Sequence, residues 1–210
     1  MKDSSEDLLA TGKQIVEQLQ NLLSKKQVAI VVALDGGSGA GKSTLASIIR
    51  DELSVALIPL DDFFSANIPD NEWDKFTVEE KLKYVFDWKR LRDHAIMPLL
   101  KGQPANWHAF DFQSGLGADG TYGMEKELRK LEPANMILIE GAYSVSPELA
   151  DLIDFSILVD VPVKERHARQ ETREDHDFLE KWHQRWDEVE TYYFNQVRPK
   201  SSFDFVVELK

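Results

Sequence analysis

VAIVVALDGGSGAGKST, Val28 to Thr44, is the stretch that decides the fold. Its first half, Val28 to Leu34, is a continuous apolar, β-branched run, the composition of a strand buried on both faces of a parallel sheet. Its second half, Gly36 to Ser43, matches G-x-x-x-x-G-K-S, and Lys42 to Leu53 then reads as a helix. A strand, a glycine-rich turn and a helix in that order make a phosphate cradle. Glycines let the chain bend so that successive N–H groups face phosphate oxygens, and the helix start adds its positive dipole end. The expected phosphate ligands are Gly37, Ser38, Gly39, Ala40, Gly41, Lys42, Ser43 and Thr44. Lys42 is placed to reach the β/γ-phosphates of ATP, and the Ser43 hydroxyl to ligate Mg²⁺.

Outward from this stretch the strand pattern repeats. Val55 to Leu60, Asn135 to Ile139, Phe155 to Val161 and Phe203 to Leu209 are further apolar runs, interleaved with helical segments. Five such runs predict a three-layer α/β fold of the P-loop NTPase kind, doubly wound around a mostly parallel five-stranded sheet with a helical lid. The 210 residues suffice for one domain, 1–210, with an N-terminal amphipathic helix over 1–24. The rhythm breaks over 65–123. There Ser65 to Tyr84 reads as a loop with short helices, and the glycine-spotted Gln103 to Gly123 as a long irregular loop. A region of this kind is expected to bind substrate, and 163–178 to form the lid helix.

Ligands of such sheets bind at the carboxyl ends of the strands. Asp61 and Asp62 follow Leu60, and Glu140 follows Ile139. Phosphoryl transfer needs metal ligands and a group that positions or deprotonates the attacking oxygen. Glu140 is expected to act through Mg²⁺ and one of the two aspartates as general base. An acid after a strand can also cap the next helix.

Arg166, Arg169 and Arg173 fall at i, i+3 and i+7, so a continuous helix would project them along one face. Three guanidinium groups in register call for anions between them. A closing lid supplies such arginines to a transferred phosphoryl group, where they contribute ~10³–10⁵ in turnover. The competing reading is a solvated face paired with Glu165, Glu171, Glu174 and Asp175. Further on, Phe178, Trp182, Trp186, Val189, Tyr193 and Val197 form a stripe expected to pack in the core. His167, His176 and His183 show no convergent metal spacing and are assigned no role.

A net charge of −12 argues against a broad nucleic-acid surface and confines positive potential to local clusters. No stretch approaches the ~20 apolar residues of a membrane span. The polar, acidic start is neither a secretory signal nor a transit peptide, and the chain has no cysteine, which fits a cytoplasmic protein. The expected partner is a small molecule; nucleic acid and membrane are not expected, and a homo-oligomer stays open.

With these motifs the chain resembles the uridine kinase and phosphoribulokinase family of P-loop kinases. The carriers are GGSGAGKST at Gly36 to Thr44, LDDFF at Leu60 to Phe64, FDW at Phe86 to Trp88 and AFDF at Ala109 to Phe112. LIEGAY at Leu138 to Tyr143 and VDVPVKERHARQETRE at Val159 to Glu174 complete the set. The resemblance implies an ATP-dependent kinase of a small metabolite, with a nucleoside such as uridine the leading acceptor. It assigns Asp61 as the base on the acceptor hydroxyl, Glu140 to the neighbourhood of Mg²⁺, and Lys42, Arg166, Arg169 and Arg173 to the transferred phosphate. It assigns Asp62, Phe64, Phe110 and Phe112 to the substrate, the last two sandwiching a flat base. There are departures. The family's DHPxAFD run reads KLKYVFDW here, and the histidine after the aromatic pair is missing, with Gly115 near its place. The alternatives are the same fold acting on pantothenate, ribulose 5-phosphate, glycerate or nicotinamide riboside, or a nucleotide-controlled binding protein without an acceptor.

Overall fold

The computed structural model describes residues 4–26 and 28–209. The first residues of the expected N-terminal helix, 1–3, lie outside the described residues. Helix α1, Ser4–Leu23, leads into strand β1, Ile30–Asp35, then helix α2, Lys42–Glu52, and strand β2, Val55–Pro59. After a 3₁₀ turn at Leu60–Phe63 come α3, Val78–Tyr84, and a helical run from α4, Trp88–Leu91, to α5, Met97–Leu100. Between α4 and α5 the backbone opens into a π turn, Arg92–Ile96; Pro98 just beyond cannot donate the next i→i−4 bond. Strands β3, Ala105–Asp111, β4, Gly123–Leu131, β5, Met136–Glu140, and β6, Phe155–Asp160, follow. Helices α6, Val163–Glu171, and α7, His176–Tyr192, and strand β7, Phe205–Glu208, complete the chain.

The main sheet has five strands in the order β2-β5-β1-β6-β7, every pairing parallel, as expected from the five apolar runs. Alternation along β1 sends Ile30, Val32 and Leu34 to one face, where α1 (Ile15, Leu19) and α2 (Leu45, Ile49) cover them. Val31 faces the other side with Ile58, Ile137 and Ile139, under Leu91, Trp107, Trp186 and Tyr193. Two helical layers around one sheet result. The chain winds from β1 outward in both directions, so the switch point lies at the carboxyl end of β1. Because β5 sits between β2 and β1, Glu140 is in register with Pro59 on one side and Leu34 on the other. That register places the residues after β1, β2 and β5 side by side.

Two expectations are overturned. The stretch Gln103 to Gly123 is irregular only at 103–104 and over 112–122: Ala105–Asp111 is a strand, β3, which pairs antiparallel with β4 from Ala105 opposite Leu131 to Asp111 opposite Gly123. The alternation of β3 buries Ala105 and Trp107 and exposes Asn106 and His108. Its partner is a charged, mostly exposed strand whose composition (MEKELRKL) favours helix on propensity alone. Nor is 163–178 one helix. Helix α6 stops at Glu171, and Asp175 starts α7 by accepting the N–H groups of Asp177 and Phe178 at 2.9 and 3.3 Å. A strong N-cap within the run ends one helix and begins another. Among the described residues no helix is long and apolar enough to cross a membrane.

Candidate active site

The glycine-rich turn closes on itself through Lys42, whose Nζ donates to the carbonyls of Gly36 (2.9 Å) and Gly37 (3.1 Å). Gly41 has φ +90°, a left-handed conformation that a side chain would strain, and it opens α2. A Cβ at Gly37 would stand 2.2 Å from Arg166 Nη1, so a side chain here would displace that guanidinium. From the other strand ends, the Ser43 hydroxyl donates to Glu140 Oε1 at 3.0 Å, and Asp61 faces the same cleft, exposed to it. The cleft holds about 440 Å³, within the usual range for a small-ligand site.

The carboxylates there crowd one another. Burial pushes Glu140 above the usual carboxylate range; Lys42 draws it back, Asp61 pushes it further up, and the Ser43 hydrogen bond lowers it. Asp61 is raised as well, first by the surrounding protein, against the pull of Lys42 and with a push from Asp62. A dication between Ser43 and Glu140 would relieve that crowding, and a hydroxyl plus a carboxylate is the oxygen donor set Mg²⁺ takes. The residues present therefore fit the expected ion.

Asp62 does not join them. It is buried, accepts Trp107 Nε1 at 2.8 Å and lies 3.7 Å from Arg129 Nε, while Arg90 holds its carbonyl at 3.0 Å. It anchors the β3–β4 hairpin to the turn after β2. Phe64 and Phe112 line the cleft. Phe110 does not: it is buried, and its ring meets Phe112 edge to face at 4.5 Å, which leaves no slot for a base between the two. The expected sandwich is replaced by a continuous aromatic wall of Phe64, Phe86, Phe112, Phe178, Trp182 and Trp186. Phe178, 47% exposed, thus leaves the core stripe read from the sequence, while Trp182 packs against the core and also lines the cleft.

The break in the helix sets Arg173 apart from Arg166 and Arg169, which share α6. Arg166 is buried; it donates to the carbonyls of Ser38 (2.9 Å) and Val161 (3.2 Å) and is ion-paired with Glu190. It is a brace beneath the turn, its charge already matched. Arg169 lies near the turn from outside, its Nη1 4.0 Å from where a Cβ on Gly41 would be. Arg173 falls in the break between α6 and α7, exposed at the cleft's edge. The three do not share one face.

Two carboxylates were missed by the sequence reading. Asp35, the last residue of β1, accepts N–H groups from Gly36 (2.7 Å), Tyr143 (2.9 Å) and Val145 (3.0 Å), and the Tyr193 hydroxyl at 2.6 Å. It fastens the phosphate turn to the loop after β5, where Tyr143 sits at φ +68°. An acid ending an otherwise apolar strand was the available signal. Glu190 accepts the Ser38 N–H at 2.9 Å through Oε2 while Oε1 pairs with Arg166; a lone acid on an amphipathic helix carries no such signal. Finally, His167, His183 and Asp187 converge across α6 and α7, contrary to the expectation from spacing.

Among known proteins, a family model described as Phosphoribulokinase / Uridine kinase family matches residues 31–202. A uridine kinase of Halobacterium salinarum is 29% identical over 180 residues, 81% of this chain and 72% of its own length. A uridine kinase of Mycoplasma pneumoniae is 30% identical over 156 residues, covering 72% and 68%. Among solved structures, one titled a possible uridine kinase from Bacillus stearothermophilus superposes with a TM-score of 0.64 at 20% identity, over 92% of this chain and 97% of that one. D-glycerate 3-kinase from Cryptococcus neoformans does so with a TM-score of 0.56 at 14% identity, over 95% and 96%. At such identities the two structures speak for the fold alone.

Proposed function

Since this chain belongs to the phosphoribulokinase / uridine kinase family, we propose that it transfers the terminal phosphoryl group of ATP to a hydroxyl of a nucleoside, with Asp61 accepting the proton. That it is an ATP-dependent kinase of a small metabolite follows from the family. The nucleoside and the residue roles are our reading.

One observation carries it. A single cleft is lined both by the phosphate turn, Asp61 and Glu140 and by a wall of aromatic rings. Rings of this kind offer a flat base stacking area, worth roughly 0.5–1.5 kcal/mol per aromatic contact beyond area burial. The cations that a phosphorylated acceptor would need are engaged elsewhere. Lys75 pairs with Glu72, Lys89 with Asp93 and Arg92 with Asp151, Lys81 donates to the Arg185 carbonyl, and Lys83 lies over the Tyr84 ring. Arg90 holds the carbonyls of Asp62 and His108. This weighs against ribulose 5-phosphate.

In this reading the main-chain N–H groups between residues 37 and 44 and Lys42 hold the phosphates of ATP. Ser43 and Glu140 would hold Mg²⁺, which when bound supplies neutralisation of phosphate charge. Asp61 faces the acceptor end and takes the proton from the hydroxyl as it attacks; its raised pKa brings it nearer the neutral range, where a general base works best. Arg173, at the cleft's edge, is the arginine free of the brace role and the one we assign to the transferred phosphate. The aromatic wall orients the base and excludes water. An ATP-consumption assay with uridine, cytidine, pantothenate, glycerate, ribulose 5-phosphate and nicotinamide riboside tests the assignment. Turnover with a pyrimidine nucleoside is expected, and turnover confined to a non-nucleoside acid or sugar phosphate would overturn it.

A further inference from the structure

We infer that His167, His183 and Asp187 form a site for one transition-metal dication of the Zn²⁺ type, bridging α6 to α7. His183 and Asp187 stand one turn apart on the same face of α7, and His167 reaches them from α6. The His183 Nδ1 to Asp187 Oδ1 distance is 3.0 Å, and His167 Nε2 to Asp187 Oδ2 is 3.6 Å. Two ligand atoms each ~2.0–2.1 Å from a tetrahedral ion stand ~3.3 Å apart, a separation that each histidine approaches through a different oxygen of Asp187. All three donor atoms lie within 4.8 Å of one another.

An ordinary i,i+4 hydrogen bond on α7 needs only His183 and Asp187. The third donor, arriving from a different helix, is what makes a binding set. Two nitrogens and one carboxylate suit Zn²⁺, Co²⁺ or Ni²⁺ and disfavour Mg²⁺, which prefers an octahedron of oxygens. The site is therefore chemically distinct from Ser43 and Glu140. The side chains are 29%, 22% and 47% exposed, which leaves an entry path and room for water as a fourth ligand. Arg166, on the same helix as His167, is ion-paired with Glu190, and the acidic chain favours a dication overall. An ion here ties the helix that carries Arg166 to the one that carries Glu190.

The test is calorimetric titration of ZnCl₂ into chelator-stripped, nucleotide-free full-length protein, without Mg²⁺. One ion per chain is expected. His167→Ala and His183→Ala should each weaken binding at least ~10-fold, and His176→Ala, at an exposed position near the start of α7, should not. Melting curves with and without ZnCl₂ give a second readout: a rise for the parent and His176→Ala that is lost in His183→Ala. If an alanine variant fails to fold by circular dichroism, Asp187→Asn replaces it. Absence of Zn²⁺ binding, binding that survives both histidine substitutions, or binding abolished instead by Glu140→Gln would overturn the proposal.

Discussion

The Tyr193 hydroxyl donates a 2.6 Å hydrogen bond to Asp35 Oδ2, joining the end of the chain's last long helical segment to the residue that precedes the phosphate turn. Both groups are fully buried. Burial pushes the Asp35 carboxyl from 3.8 up to about 6, although Tyr193, two main-chain N–H groups and Lys42 all pull it down. The carboxylate is held in place by its donors and strained by its surroundings.

A raised carboxyl pKa in the folded state means that protonation favours folding. The contribution of Asp35 is fully present below its unfolded value near 4 and is lost as pH rises through about 6. The span corresponds to on the order of 3 kcal/mol. Urea unfolding at intervals from pH 4 to pH 7.5 should show Asp35→Asn with a flatter stability profile than the parent across this window. Identical slopes would remove Asp35 as the source.

Asp61→Asn should lower kcat by ~10²–10⁴-fold with ATP affinity nearly unchanged, since the base is lost and the phosphate turn is not. In the parent, kcat/KM should rise with pH through a carboxylate value above the ordinary range, because the deprotonated form is the base. That acid limb should disappear in the variant. Steady-state kinetics against pH, with ATP binding by calorimetry, reads both.

Arg166 and Arg173 should separate stability from turnover. Arg166→Ala leaves the largely covered Glu190 without its cation, though still with the Ser38 N–H, and should cost on the order of 3 kcal/mol of unfolding free energy. Arg173→Ala, at an exposed position in the break between α6 and α7, should change stability by less than ~0.5 kcal/mol. Its kcat should nevertheless fall by ~10-fold or more, the transition-state interaction being the one removed. A normal kcat in Arg173→Ala would leave the transferred phosphate without its assigned arginine.

Phe112→Ala should raise KM for the nucleoside by roughly 3- to 10-fold with kcat and melting temperature little changed. The ring is 47% exposed and lines the cleft, so it contributes stacking rather than core packing. Phe110→Ala, by contrast, should destabilise the protein by ~3–5 kcal/mol because that ring is buried beneath the wall.

What could be read beforehand follows from where the information resides. The five strands were legible because buried parallel strands are uniformly apolar, and the phosphate turn because its spacing is dictated by backbone geometry. Strand β4 was not: a nine-residue segment, five of its residues charged, becomes a strand only through pairing with β3, a tertiary effect that local propensity opposes. Helical periodicity puts three arginines on one face, whereas the Asp175 cap ends the helix and sets Arg173 apart. Asp62 and Asp61 are neighbours in the chain and look alike, yet only the fold shows that Trp107 and Arg129 claim the first of them. Glu190 and the histidine pair depend on contacts between helices, which no window of one helix contains.

Glu190 and Trp186 lie one turn apart on α7, the first against the Ser38 amide and the second in the aromatic wall. One helix thus contributes both to the phosphate turn and to the aromatic wall. If a ligand at the turn displaced Glu190 and moved that helix, reciprocity would require a ligand at Trp186 to feel it by the same factor.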